Sequence, residues 1–327
     1  MFTTQFSSDI NTTGKSNTQT LQQHVEALAK LDRSFENVTG LNQAADYIKR
    51  QWIAQGFEVT EQPFKVDGKI YKNLMVSLGP QTKERLIVGA HYDVCAHEPS
   101  TSQFETATIM DAIRFHRTKK PIRYKERHDM PGADDNASGV AGLLEMSRLL
   151  KAKESTLTKR MDLIAFTTEE PPNFDTDDMG SARHAASIKG ESHHVKGMIS
   201  LDMIGYFRDE SNTQKYPIPF LNWIMGNKGN YISVLGDLKA WRLVKTLKNA
   251  IKQNTTLPVH WLSLPSFFPG VHLSDHLNYA RQGIPSVIVT DTAYFRNPHY
   301  HQHTDTPETL DYTRMGKVVD GVLGSLT

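Results

Sequence analysis

Histidine and carboxylate side chains recur in five short motifs of this 327-residue chain. Imidazole nitrogen and carboxylate oxygen are both good zinc ligands, and a catalytic zinc site keeps one position open for water. Each motif alone has an ordinary structural explanation, but all five in one order together predict a metal centre. They are His91-Tyr92-Asp93, Gly132 to Gly139 with its paired aspartates, Thr168-Glu169-Glu170, Leu201-Asp202-Met203, and His299-Tyr300-His301 followed by Asp305-Thr306.

The spacing within two of these motifs suggests separate roles for neighbouring residues. His91 and Asp93 are two apart at a predicted strand end, so their side chains share one face. Asp93 can then accept a hydrogen bond from the ring nitrogen of His91 that faces away from a metal. Of the adjacent Glu169 and Glu170, one can bind metal while the other takes a proton from the activated water.

Helices and strands alternate along the chain, and this order must bring the motifs together. It predicts a three-layer α/β/α sandwich around a mixed, largely parallel twisted sheet. Motifs that follow several strands can then converge, because ligands gather beyond the carboxyl ends of parallel strands. Helical spacing is found over about 21–31, 41–52, 138–150, 179–186, 240–251 and 313–326, and strand patterns over 57–66, 70–78, 85–90, 161–166, 195–201 and 286–289.

Composition narrows the class of protein. Hydrophobic residues make up 38% and charged residues 22%, which is typical of a globular protein. The net charge of +1 gives no sign of a nucleic-acid or membrane partner. The single cysteine, Cys95, excludes an internal disulfide. It is interpreted as a small buried hydrophobe, with a reactive thiol near the metals as the alternative.

In combination, the motifs closely resemble the co-catalytic zinc peptidases. This superfamily includes aminopeptidases, glutamate carboxypeptidases, transferrin receptor-like proteins and glutaminyl cyclases. The resemblance runs from about Leu21 to the C-terminus. It implies the phosphorylase/hydrolase-type fold of zinc exopeptidases, a peptide or small amide substrate, and two zinc ions per chain, with manganese or cobalt as possible substitutes.

The resemblance also assigns a role to each motif. The implied metal ligands and catalytic residues are His91 and Asp202 for one zinc, Glu170 and His301 for the other, Asp135 as the bridge between them, Glu169 as the general base, and Asp93 as the residue that orients His91.

Two of these choices depend on family spacing. The bridging aspartate stands four residues before the glycine of a Ser-Gly pair, which selects Asp135 over Asp134. The histidine ligand stands four residues before the aspartate of an Asp-Thr pair, which selects His301, with His303 as the open alternative. The family also tends to have a cis peptide bond after the bridging aspartate.

Two further segments match the family. Ser274-Asp275-His276 corresponds to a signature near the pocket and is expected to be structural. Residues 267–270 fall where relatives shape the pocket, so an apolar preference and a plain hydrophobic turn both stay open.

The implied function is a zinc-dependent exopeptidase. An aminopeptidase is preferred because aminopeptidases of this fold are often compact single domains. The alternatives are a single-zinc glutaminyl cyclase-like acyltransferase, a carboxypeptidase or deacylase with the same metal site, and a non-catalytic binding protein on the same fold.

The predicted domain organisation is simple. Residues 1–16 form a loose arm and 17–327 a single peptidase domain, with a basic insertion at about 97–130. This insertion is either a solvated surface segment or a lid or interface that contacts acidic groups. No signal-peptide pattern is found at the N-terminus, which favours a cytoplasmic location. The oligomeric state is not predicted.

Overall fold

A computed structural model describes residues 14–99, 124–126, 129–216, 221–266, 268 and 271–327. The strands in these ranges are β1 Thr60–Val66, β2 Lys69–Leu78, β3 Arg85–His91, β4 His97–Pro99, β5 Tyr124–Glu126, β6 Arg160–Phe166, β7 Val195–Leu201, β8 Ile232–Asp237, β9 Val259–Leu264 and β10 Ser286–Thr290. The helices are α1 Thr18–Ala29, α2 Val38–Ala54, α3 Gly139–Lys151, α4 Gly180–Ser187, α5 Leu221–Met225, α6 Trp241–Asn254, α7 His276–Ala280 and α8 Tyr312–Leu326.

Eight of the described strands form one mixed sheet in the order β1-β2-β6-β3-β7-β10-β8-β9. The four central strands β6, β3, β7 and β10 are mutually parallel. Strand β2 runs antiparallel to β6, and β8 runs antiparallel to β10. The carboxyl ends of the central strands therefore meet at one edge of the sheet, as the predicted fold requires.

Helices cover both faces of this sheet. Side chains alternate along each strand, so Val88 faces a large apolar cluster with α1, α2, α3, α6 and α8, while Ile87 faces a smaller one. The smaller cluster includes Ala185 of α4 and Tyr279 of α7. The predicted three-layer α/β/α sandwich is confirmed.

Sequence patterns missed six short elements among the described residues, namely β4, β5, β8, β9, α5 and α7. Strand β9 lies at the sheet edge and leaves Trp261 and Leu262 exposed, so it lacks the alternation of a half-buried strand. The first strand also begins at Thr60 rather than at residue 57.

Some predictions fall on residues outside the described ranges. The predicted arm lies mostly there, and so does the predicted basic insertion except for 97–99, 124–126, 129 and 130. Only Phe268 is described in the segment 267–270. The domain limits stay a prediction. Among the described helices, none combines the length and apolar character needed to cross a bilayer.

Candidate active site

Three parallel strands deliver the first group of candidate residues to one edge of the sheet. His91 is the last residue of β3 and pairs with Phe166 at the end of β6. Glu169 and Glu170 follow β6, and Asp202 directly follows β7. All four side chains are buried. The parallel register thus brings together residues that are far apart in sequence.

A tight turn at Ala133–Ser138 carries Asp135 into the same region. Its Asp135–Asn136 peptide bond is cis, as the resemblance implied. The Asn136 amide donates to the carbonyl of Leu201 at 2.9 Å and accepts from the backbone N–H of Met203 at 3.1 Å. The turn is therefore fixed to the residues on either side of Asp202.

Asp305 holds this turn from the opposite side. Its carboxylate accepts hydrogen bonds from the backbone N–H groups of Asp134 and Asp135, both at 3.0 Å. Its carbonyl accepts from the N–H of Ala133 at 3.0 Å. The Asp-Thr motif thus anchors the Asp135 turn, and His301 reaches the site four residues before that anchor.

The two carboxylate oxygens of Asp135 face two different histidines. Oδ1 lies 3.4 Å from His91 Nε2, and Oδ2 lies 3.1 Å from His301 Nε2. His91 Nε2 is also 3.6 Å from Asp202 Oδ1, and His301 Nε2 is 3.2 Å from Glu170 Oε2. His91, Asp202 and Asp135 form the first donor set; His301, Glu170 and Asp135 form the second.

These separations match the ligand spacing of a zinc ion. Bonds of about 2.0–2.2 Å in a tetrahedron place neighbouring ligand atoms roughly 3.4 Å apart. Two atoms of the second set, Glu170 Oε1 and His301 Nε2, are buried without a hydrogen-bond partner within the described residues. Such atoms are costly to bury, and a cation would satisfy them. The residues present therefore fit a metal pair.

Burial and charge crowding make the paired glutamates of this site unusually easy to protonate. Burial raises the pKa of Glu170 to about 7, with His301 opposing the rise and Asp135 adding to it. Burial also raises the pKa of Glu169 well above its usual range; His91 opposes this, while Glu170, Asp275 and Asp202 add to it. Glu169 Oε2 lies 3.9 Å from His91 Nε2, beside the first donor set.

The family model for peptidase family M28 matches residues 73–326, which include every motif residue described above. The chain belongs to peptidase family M28. It is therefore a peptidase, and its family is generally metal-dependent.

This M28 peptidase is similar in sequence to two curated proteins and similar in fold to a solved structure. Protein YfbL of Escherichia coli (strain K12) is 40% identical over 89% of this chain and 81% of its own. A probable leucine aminopeptidase of Arthroderma otae is 24% identical over 94% of this chain and 72% of its own. A glutaminyl cyclase structure from Fimbriiglobus ruber shares the fold with a TM-score of 0.64 and 20% identity, over 95% of this chain and 94% of its own.

Asp93 of the M28 peptidase makes a contact that its spacing did not predict. Its Oδ1 faces His91 Nδ1 at 3.6 Å, which is longer than a hydrogen bond. Its Oδ2 accepts a hydrogen bond from the backbone N–H of Glu170 at 3.0 Å. Asp93 thus links β3 to the paired glutamates, and its role in orienting His91 stays a prediction.

Two other predicted residues lie at the site. Asp275 is fully buried, and burial raises its pKa to about 7 while the field of His91 opposes the rise. Cys95 is buried as expected, and its sulfur lies within 4.8 Å of the ligand atoms of Glu170 and His301. His303, the alternative to His301, is exposed.

Sequence reasoning missed Arg33, a fully buried cation behind the site. It donates hydrogen bonds to the carbonyls of Tyr92 at 2.9 Å, Pro131 at 3.1 Å and Gly132 at 2.9 Å. It also donates to the carbonyl of Leu28. No motif marks Arg33, because its partners are backbone groups that any sequence provides. It joins the His91 segment to the segment that leads into the Asp135 turn.

The charge of Arg33 also offsets the nearby carboxylates. Burial lowers the pKa of Arg33 to about 10, against the opposing fields of Asp305, Asp93 and Asp135. The guanidinium therefore remains charged at neutral pH.

We expect Arg33→Lys to lower the free energy of unfolding by about 3 kcal/mol, because an ammonium cannot reach four separate carbonyls and leaves buried acceptors unpaired. Urea denaturation measures the change. The matched control is Arg242→Lys on α6, where the side chain is exposed and little change is expected. Equal stability of the two variants would contradict the bridging role of Arg33.

Proposed function

We propose that this M28 peptidase is an aminopeptidase with two zinc ions. His91 and Asp202 bind one ion, Glu170 and His301 bind the other, and Asp135 bridges them. The observation that carries the proposal is that the two oxygens of Asp135 face different histidines, at 3.4 and 3.1 Å. A bridging carboxylate needs this arrangement, whereas a single metal site needs only one of the two contacts.

In this mechanism the residues of the chain orient the reactants and move one proton. When bound, the zinc pair supplies Lewis-acid chemistry that polarises the scissile carbonyl and makes the attacking water more acidic. Glu169 accepts the proton of that water and then delivers it to the leaving amine. Its pKa is raised by burial, with neighbouring carboxylates adding to the rise, which favours proton uptake, and bound cations would lower it.

Release of an N-terminal residue is the reaction that we favour. The support is the probable leucine aminopeptidase from Arthroderma otae, which aligns over 94% of this chain. Peptides with a free amino terminus and an apolar first residue are therefore the substrates to test first.

A glutaminyl cyclase-like acyltransferase with one zinc is the main rival, since the Fimbriiglobus ruber enzyme has the same fold. The two complete donor sets favour two metals over one. A carboxypeptidase or deacylase would share the metal site and differ only in which end of the substrate is recognised. Metal stoichiometry and substrate tests separate these possibilities.

The purified protein should contain two zinc ions per chain and should release N-terminal residues from aminoacyl chromogenic amides. Chelation should abolish this release, because both the carbonyl polarisation and the water activation are lost. Elemental analysis and an amide panel, with N-acylated and glutaminyl peptides alongside, measure both properties. One zinc per chain with cyclisation of glutaminyl peptides would instead favour the acyltransferase.

Glu169→Gln should bind both metals and lose activity by roughly 10³-fold, because the amide cannot accept a proton. Steady-state kinetics and elemental analysis on the same sample test this directly. Glu58→Gln is the matched control, since Glu58 is exposed and should tolerate the change without effect. A Glu169→Gln protein of normal activity would exclude Glu169 as the base.

His301→Ala should lose one metal ion per chain, whereas His303→Ala should keep both. The physical reason is position: His301 Nε2 is in the second donor set, while His303 is exposed. Elemental analysis after exhaustive dialysis gives the two stoichiometries. Loss of a metal from His303→Ala, with retention in His301→Ala, would reverse the assignment.

A further inference from the structure

Cys95 continues the alternation of His91 and Asp93 beyond the end of β3. Residues two apart in an extended segment point to the same side. The segment is fixed by the hydrogen bond from Val94 N–H to the carbonyl of Arg33 at 3.1 Å. A side chain at position 95 is therefore directed toward the same region as the two motif residues before it.

Cys95 lies beside two polar side chains of the candidate site. The residue is buried, yet it is in neither of the two apolar clusters of the fold. Its sulfur, a Glu170 oxygen and a His301 nitrogen all lie within 4.8 Å of one another. A small hydrophobe would be expected among apolar side chains, so the interpretation of Cys95 as core filling does not explain its place.

Glu170 provides an independent indication of a ligand at this point. Its side chain is 3% exposed, and its Oε1 is without a hydrogen-bond partner within the described residues. Its other oxygen, Oε2, lies 3.2 Å from His301 Nε2. A carboxylate, an imidazole and a thiol are all common zinc ligands, and here they are held close together.

We propose that the sulfur of Cys95 is a fourth protein ligand of the zinc ion held by the second donor set. This inference rests on the proposed two-zinc site. On binding, the thiol loses its proton to solvent and the thiolate forms the sulfur–zinc bond. The second site is then Asp135, Glu170, His301 and Cys95, whereas the first site has only His91, Asp202 and Asp135 from the chain.

The extra ligand would lie on the side of the site that does not include the general base. Glu169 groups with His91 and Asp202, whereas Cys95 groups with Glu170 and His301. A fourth protein ligand would therefore bind the second ion more firmly and leave the surroundings of Glu169 unchanged.

X-ray absorption at the zinc edge of the two-zinc protein tests the inference without using activity. We expect a sulfur scatterer at about 2.3 Å, with one sulfur for every two zinc ions. A shell of nitrogen and oxygen alone around two bound zinc ions would overturn the role of Cys95 and leave the proposed function intact. A chain that binds no zinc would overturn both.

Cobalt substitution gives a second readout. The cobalt-loaded protein should show the strong near-ultraviolet absorption of a sulfur-to-cobalt charge transfer, and Cys95→Ser should lose it while binding two cobalt ions at high metal concentration. Val94→Ala is the control for disturbing the segment and should keep the band. A band that persists in Cys95→Ser would contradict the proposal, since the chain has no other cysteine.

The affinity for the second metal should fall as well. Loss of an indirect partner of a metal ligand already weakens binding about 10-fold to 100-fold. Cys95→Ser should therefore weaken the second zinc by at least about tenfold, and manganese binding much less, because manganese prefers oxygen ligands. Competition with a chelator of known affinity measures both, and an equal loss for the two metals would oppose a direct sulfur bond.

Discussion

The constraint on which the site depends is the burial of several carboxylates in a small volume. Asp135, Glu169, Glu170 and Asp202 are all buried within reach of two histidines. Burying a charge is costly unless an opposite charge or hydrogen bonds compensate it. The raised pKa values of Glu169 and Glu170 express that cost. The proposed pair of divalent cations would compensate these charges, and metal binding would then be linked to the integrity of this region.

The fold meets this constraint by fixing the backbone around each carboxylate before any metal is bound. Asp305 accepts from the N–H groups of the Asp135 turn, and Asn136 joins that turn to the chain around Asp202. Arg33 joins the His91 segment to Gly132. Each of these contacts involves a backbone group, so the positions of the ligands are set by the main chain and not only by side-chain packing.

Sequence patterns predicted most of the fold and located the candidate residues, because both depend on local spacing. The strand end is visible in the sequence and led to His91, whereas the choice of Asp135 and His301 came from the family's spacing of the Ser-Gly and Asp-Thr pairs. Arg33 could not be found in this way. Its partners are backbone carbonyls, which every residue has, so the residue types do not indicate these hydrogen bonds. Strand β9 was missed because an exposed edge strand lacks the alternation of apolar and polar residues that is typical of a half-buried strand. The position of Cys95 beside Glu170 and His301 depends on three distant chain segments, which only the three-dimensional structure brings together.

The arrangement around Asp135 also explains why the two donor sets need not be equivalent. Both share one carboxylate, but the first is completed by the end of β7 and the second by the residues after β6 and by the loop that carries His301. Glu169 and Glu170 are adjacent in sequence, yet Glu169 groups with His91 and Asp202, while Glu170 groups both with His301 and Cys95 and with His91 and Asp135. In the proposed mechanism, the segment after β6 would therefore supply both the general base, Glu169, and a metal ligand, Glu170, from adjacent positions.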